Sequence, residues 1–236
     1  MTVDAVAQWT RPYDRARSYG VEAALADLYD RIAGGSLVAG PTGQALAPGP
    51  VGRAAERVWP GGTPLRGLAG VTTVALPAPV RDADLTALRG LPGPDRSGWA
   101  SYRIWLLGLA WLRLGSSAGL LDRIRAHLAG RRAADGPLLR QQLVQAALAE
   151  AVTDQLTVQA LLTDADRPAE SDPDPSAESV ADLVQAHHQL TAADHALLPV
   201  LGAAGFTQDG PGRAVYLSHL LADVYLPAHH DVRPPT

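Results

Sequence analysis

Residues 201–227 read LGAAGFTQDGPGRAVYLSHLLADVYLP. Gly202, Ala203, Ala204 and Gly205 carry almost no side chain, so another backbone or a ligand can approach closely there. Pro211 suits the first turn of a helix, where a missing N–H costs nothing. Val215, Leu217, Leu220, Leu221, Val224 and Tyr225 then recur at helical spacing. The stretch predicts a close-approach turn, a short loop and a final helix.

Working outward, three more helices are expected upstream. Trp99 to Leu128 is a long apolar run with Ile104, Leu107, Trp111, Leu114, Ala118 and Leu121 on one side, broken by Gly130. A second helix starts at Pro137 or Leu138 and runs to about Leu162, with Leu139, Leu143, Ala147, Leu148, Ala151, Val152 and Leu156 as its stripe. An acidic, proline-rich loop follows. Asp174 and Pro175 then make a cap and first position for a third helix, reaching about Val200. Four helices with mostly short connections predict an antiparallel bundle over 99–236.

The front part, 1–98, reads differently. Val3 to Ala33 is helical by periodicity and stops at Gly34–Gly35. Ser36 to Gly70 is rich in Gly and Pro, with possible strand pieces at Leu37–Val38 and Ala45–Leu46. Val71 to Leu76 has strand composition, and Pro77 to Gly98 carries little pattern. A loop-rich region with a small sheet is expected there.

Composition bounds the function. The chain has 236 residues, 47% hydrophobic, and a net charge of −4. No general basic field is present to attract nucleic acid. There is no Lys to form a Schiff base and no Cys for a disulfide, thiolate or Cys-ligated metal. The N-terminus lacks an apolar signal region. Arg103 and Arg113 flank and interrupt the most apolar run, which favours a buried core helix over a membrane span. A cytoplasmic protein is the expectation.

Two stretches carry a resemblance. Gly202, Gly205, Phe206, Thr207, Pro211 and Tyr225 fall on a pattern similar to the C-terminal end of the acyl-CoA dehydrogenase family, where a Gly-Gly-x-Gly-Tyr-Thr turn touches the flavin. Arg131, Pro137, Gln142, Gln145, Leu148, Ala149 and Glu150 resemble a second family segment in register. The resemblance covers roughly Trp99 to Ala228. It implies an acyl-CoA dehydrogenase-like C-terminal bundle, preceded by a β-domain remnant, with the family's helical N-terminal domain largely absent. It also implies FAD shared with a partner subunit, contacted by Arg131, Gly202, Gly205 and Thr207, and an acyl thioester as the substrate class.

The departures carry as much meaning. The carboxylate base of many members would fall on Leu226, and the alternative base position falls near Trp105. Neither is an acid, and removal of a proton α to a thioester needs a positioned base. The second glycine of the turn is Ala203, a flavin-binding glutamine falls on Pro199, and Asp135 stands beside the phosphate position. The favoured expectation is a base-less subunit that forms a homo- or hetero-oligomer with a flavin-bearing chain. One alternative is a flavin enzyme with an unorthodox base such as His219. Another is a flavin-free binder or cyclase-like protein that takes a small hydrophobic molecule.

Other constellations are weaker. His188, His195 and Asp194 or Glu178 could share a helix face as zinc ligands, but surface or interface histidines are the favoured reading and no metal is expected. Trp99, Trp105 and Trp111 suggest core packing and subunit contact.

Overall fold

The computed structural model describes residues 4–77, 81, 83–95, 98–134, 136–166, 177–207 and 210–227. The predicted cap at Asp174–Pro175, and Asp135, lie outside the described residues.

Two helices, not one, open the chain: α1 (Asp4–Tyr19) and α2 (Val21–Ile32). Gly20 separates them with φ of 93°, a conformation that side-chain-bearing residues rarely take. Three-stranded sheets fill the loop-rich region. In one, β1 (Leu37–Val38) runs parallel to β3 (Arg57–Trp59), which pairs antiparallel with β4 (Thr63–Pro64). In the other, β6 (Leu85–Arg89) lies between β2 (Gln44–Pro48) and β5 (Thr72–Val74), antiparallel to both. The short helix α3 (Gly49–Ala54) follows β2.

The second half is the expected antiparallel bundle of α4 (Trp99–Ala129), α5 (Gln142–Ala165), α6 (Ala177–Leu197) and α7 (Pro211–Tyr225). A hairpin of β7 (Arg132–Ala133) and β8 (Gly136–Pro137), then a 3₁₀ turn at Leu138–Arg140, joins α4 to α5. A longer 3₁₀ segment, Leu198–Phe206, leads from α6 towards α7.

The core helix is α4, and it is buried on nearly all sides rather than on one stripe. Among the described residues it alone is long and apolar enough to cross a membrane, and 89% of that stretch is buried inside the fold. Ile104, expected on the inner side, is instead exposed. Helix α1 supplies the extra cover. A Cβ added at Gly115 or Gly119 would collide with the carbonyl oxygens of Tyr13 and Arg17, and one at Gly108 would press on Trp9 and Leu28. The three glycines, spaced seven and four apart, let the α1 backbone lie directly on α4.

That cover corrects the tryptophan expectation. Trp105 and Trp111 are buried within the chain, and Trp111 meets Tyr13 edge-on with ring centroids 6.4 Å apart. They offer no surface to a second subunit. The α5 stripe is corrected too. Its buried residues are Ala151, Val158 and Leu162, seven and four apart, whereas Leu143, Val152 and Leu156 face outward. Helices α4 and α6 cover only one narrow side of α5.

Two apolar clusters result. The larger joins α1, α2, the first strands, α4, α5, α6 and α7. The smaller gathers Leu120, Leu121, Ile124, Leu128, Ala151, Leu197, Leu201 and Val215 at the other end of α4. Each fully buried Leu contributes roughly 2 kcal/mol of transfer free energy.

Candidate functional site

The smaller cluster brings the two motif stretches together. Leu128, just before Arg131, packs in it with Leu201 and Val215 from the glycine turn and α7, and Leu138 lies against it. The Arg131 N–H bonds to the Leu128 carbonyl at 3.1 Å, and its own carbonyl accepts from the Leu138 N–H at 2.9 Å. The Arg131 side chain is exposed.

The turn bends at Gly202, with φ 54° and ψ −141°. That backbone is closed to most side chains, so a glycine is needed here. Gly202 and Thr207 are exposed, while Gly205 is buried. A Cβ at Gly212 would run into the Gly205 carbonyl oxygen, so the turn sits directly on the first turn of α7. Thr207 donates from Oγ1 to the Ala204 carbonyl at 3.2 Å, and the Gly210 N–H bonds to the Thr207 carbonyl at 2.9 Å. Of the four expected cofactor contacts, Arg131, Gly202 and Thr207 thus face solvent at one end of the bundle. Gly205 lies beneath them as a packing position.

Beside the turn is a cleft of about 200 Å³, lined by His195, Leu198, Thr207, Arg213, Tyr216 and His219 among others. That is below the roughly 300–1,000 Å³ usual for small-molecule sites. The His219 ring meets His195 edge-on at 4.2 Å between centroids. Burial, then the Arg113 and His195 charges, pull the His219 pKa down to about 4. Its Nε2 is sealed from solvent without a partner.

Behind the cleft runs a buried polar band that the sequence reading missed. Arg113, fully buried in α4, donates from Nε to Ser218 Oγ (3.0 Å) and from Nη2 to Thr191 Oγ1 (2.7 Å). Its Nη1 serves His187 twice, at Nδ1 (2.9 Å) and at the carbonyl (3.1 Å). His187 completes the pattern with Nε2 against the Leu106 carbonyl at 3.2 Å. That tautomer, Nδ1 accepting and Nε2–H donating, is the neutral ring, and burial lowers its pKa well below the ordinary value. No carboxylate touches Arg113, so burial pulls its pKa down to about 10 despite Asp194 and Asp223 nearby. Burial likewise pushes Asp194 up to about 6, against the opposing pull of Ser117, Arg113 and Arg123. Of the weighed zinc residues, Asp194 turns inward to Ser117 while His195 meets His219, and the Glu178 side chain lies outside the described residues. Among the described residues no group of three His, Asp or Glu side chains is placed to hold a metal.

At the opposite end of α4 lie the two expected base positions, and the one at Trp105 is closed. Trp105 is fully buried, edge-on between Tyr29 (4.9 Å) and Tyr225 (5.2 Å). The Tyr225 hydroxyl lies 2.7 Å from the Leu46 carbonyl and accepts the Leu46 N–H at 3.0 Å. It also touches the Tyr29 hydroxyl at 3.0 Å. Tyr102 bonds to the Tyr225 carbonyl at 2.7 Å. A Cβ at Gly40 would collide with the Val224 carbonyl, so the chain after β1 is pressed onto the last turn of α7. Leu226 follows as the half-buried C-cap, its N–H on the Ala222 carbonyl at 2.8 Å.

Residues 107–226, about half of the chain, match the family described as "Acyl-CoA dehydrogenase, C-terminal domain". The chain belongs to the acyl-CoA dehydrogenase family. Solved structures share the fold. A variant of the Tcur3481-Tcur3483 steroid ACAD matches at TM-score 0.61 and 18% identity, over 84% of this chain and 60% of that one. The ChsE4-ChsE5 complex from Mycobacterium tuberculosis matches at TM-score 0.52 and 19% identity, over 80% and 57%. A glutaryl-CoA dehydrogenase from Mycobacterium smegmatis in complex with FADH2 matches at TM-score 0.56 and 15% identity, over 79% and 56%. The chain thus spans three-fifths or less of the length of these acyl-CoA dehydrogenase structures. No curated protein matches it by sequence.

For an acyl-CoA dehydrogenase chain the two ends have unequal capacity. An exposed guanidinium and an exposed glycine turn fit an edge contact with flavin phosphates. The closed aromatic cluster and the small cleft do not fit a flavin ring with an acyl chain beside it.

Proposed function

We propose that this chain is a base-less acyl-CoA dehydrogenase-like subunit that pairs with a flavin-bearing chain in the α,β-dehydrogenation of an acyl thioester. The observation that carries the proposal is what stands at the two base positions: Trp105 is fully buried edge-on against Tyr225 and Leu226 is an aliphatic side chain, so neither offers a carboxylate. The heteromeric ChsE4-ChsE5 complex among the structural neighbours supports pairing between unlike chains. FAD, held by the partner, would take up the electrons of the oxidation. Arg131 would donate to its phosphates, the Gly202 turn would offer backbone close by, and Thr207 would border that contact.

The test is the visible absorption spectrum of the purified chain, alone and co-purified with a full-length acyl-CoA dehydrogenase-like protein. A flavin band only in a co-eluting complex is the expected result. A flavin band and dehydrogenase activity from the chain alone would sink the proposal.

A second reading rests on the cleft that sets His219 beside Thr207. With a conjugate acid near pKa 4, His219 would be no stronger a base than an ordinary carboxylate. Loss of activity in His219→Ala with flavin retained would favour that reading.

A further inference from the structure

The cleft beside the glycine turn is one-sided in charge. Two imidazoles, His195 and His219, and the Arg213 guanidinium line it, and among the described residues no carboxylate does. Arg213 is tethered by Glu22 of α2 at 3.0 Å. The rest of the wall is mainly apolar, with Leu198, Val215 and Tyr216 the largest contributors.

A further cation stands behind this wall. His187, Thr191 and His195 follow at four-residue intervals on α6, so they share one face of that helix. Arg113 bonds to the first two of them and to Ser218, the residue before His219 on α7. Each of those partners is neutral, and Asp194 and Asp223 act on the guanidinium only through space. A fully buried cation with no carboxylate in contact leaves its field uncompensated. That field reaches the cleft. After burial, the Arg113 charge is the largest influence that disfavours a proton on His219, and His195 is the next. Asp194 does not line the cleft and turns inward to Ser117.

The cleft therefore lacks the one thing its surroundings stabilise, a negative charge. Its volume of about 200 Å³ suits a small molecule with one anionic end and a short apolar body. A carboxylate matches the guanidinium fork and an imidazole N–H, and an alkyl tail matches the remaining wall.

We infer that this cleft binds a short-chain monocarboxylate, with its carboxylate held by His195 and Arg213 and its alkyl end against Leu198, Val215 and Tyr216. Arg113 contributes through its charge, without touching the ligand. The site lies within this chain and does not depend on the pairing proposed above.

The test is a titration of the purified chain, without flavin or partner, at one fixed ionic strength. The probes are sodium acetate, propionate and butyrate, with butyramide as the uncharged isostere and inorganic phosphate as the rival anion. Binding is read by calorimetry and by the imidazole proton resonances of His195 and His219. One butyrate per chain is expected, with a Kd on the order of 1 mM, tighter than acetate and with both imidazoles shifted. Butyramide should not bind. His195→Gln and Arg213→Gln should each weaken butyrate about tenfold, and Tyr216→Ser should narrow the gap between butyrate and acetate. His195 and Tyr216 are exposed, so their variants keep the fold, which circular dichroism checks. Butyramide binding as well as butyrate overturns the carboxylate contact. Phosphate binding as tightly as butyrate overturns the choice of a monocarboxylate. Undiminished butyrate affinity in His195→Gln and Arg213→Gln, or no binding to the wild type, overturns the site and leaves the pairing untouched.

Discussion

The two ends of α4 have met the same family template in opposite ways. Near its start, Trp105, Tyr29, Tyr102 and Tyr225 pack together at an expected base position, and Leu46 ties down the central hydroxyl. Near its end, the glycine turn, Arg131 and the cleft leave backbone and charge exposed. One end is closed by large rings with satisfied hydroxyls. The other keeps small residues and unpaired cations. The contrast separates two things a flavoenzyme subunit normally does together, reacting and assembling. On the proposed reading, this chain keeps the features that serve assembly.

The sharpest way to break this comparison is Trp105→Ala. If the ring is a packed keystone, the variant loses about 4 kcal/mol of stability, read from the denaturant midpoint. A loss below about 1 kcal/mol would mean that the cluster is a loose fill, and that the base positions could open. Next comes the polar band between the two ends. Arg113→Met leaves the buried Ser218 and His187 and the half-buried Thr191 acceptors without their donor, and should cost about 3 kcal/mol. An unchanged midpoint would show that the band is dispensable.

Proton linkage gives a subtler probe of the same band. Asp194 is raised from 3.8 to about 6, so its contribution to stability is fully present below pH 3.8 and is lost as pH rises through 6. His219 is lowered from 6.5 to about 4, so its contribution is present above 6.5 and is lost as pH falls through 4. His187 acts in the same direction as His219. Between these limits the acid opposes the imidazoles. Asp194→Asn removes only the acid, so stability should climb more steeply with pH from about 4 to 6 than in the wild type. Parallel curves from denaturant melts across that range would contradict the assignment. The smallest effect is expected on the uncovered face. Leu156→Gln, at a side chain 60% exposed, should change the stability of the free chain by less than about 0.5 kcal/mol.

Much of the bundle could be read directly. Gly130 and Pro211 mark helix ends because each removes or permits a specific backbone conformation, and the family motifs sit where they should. What escaped depended on partners distant in sequence. The strand β6 pairs with both β2 and β5, yet its own text lies among prolines and shows no alternation. The outward turn of Leu143, Val152 and Leu156 could not be seen from α5, because periodicity reports an apolar stripe and not whether a neighbour covers it. Arg113 read as an interruption of an apolar run. Its acceptors lie on two helices more than seventy residues away along the chain. At the candidate site, the sequence named Arg131, Gly202 and Thr207 as candidates, and all three are exposed. The closure around Trp105 was not legible, since it needs Leu46 and Gly40 from the loop-rich part.

The glycine seam between α1 and α4 also bears on the order in which the molecule can form. Arg17 and Asp122, which meet along that seam, are 105 positions apart. At common translation rates, α1 is made roughly 5–20 s before the surface it must lie on. Through that interval Trp9 and Tyr13 have no cover from α4. The seam therefore closes only once α4, the longest helix, has been made.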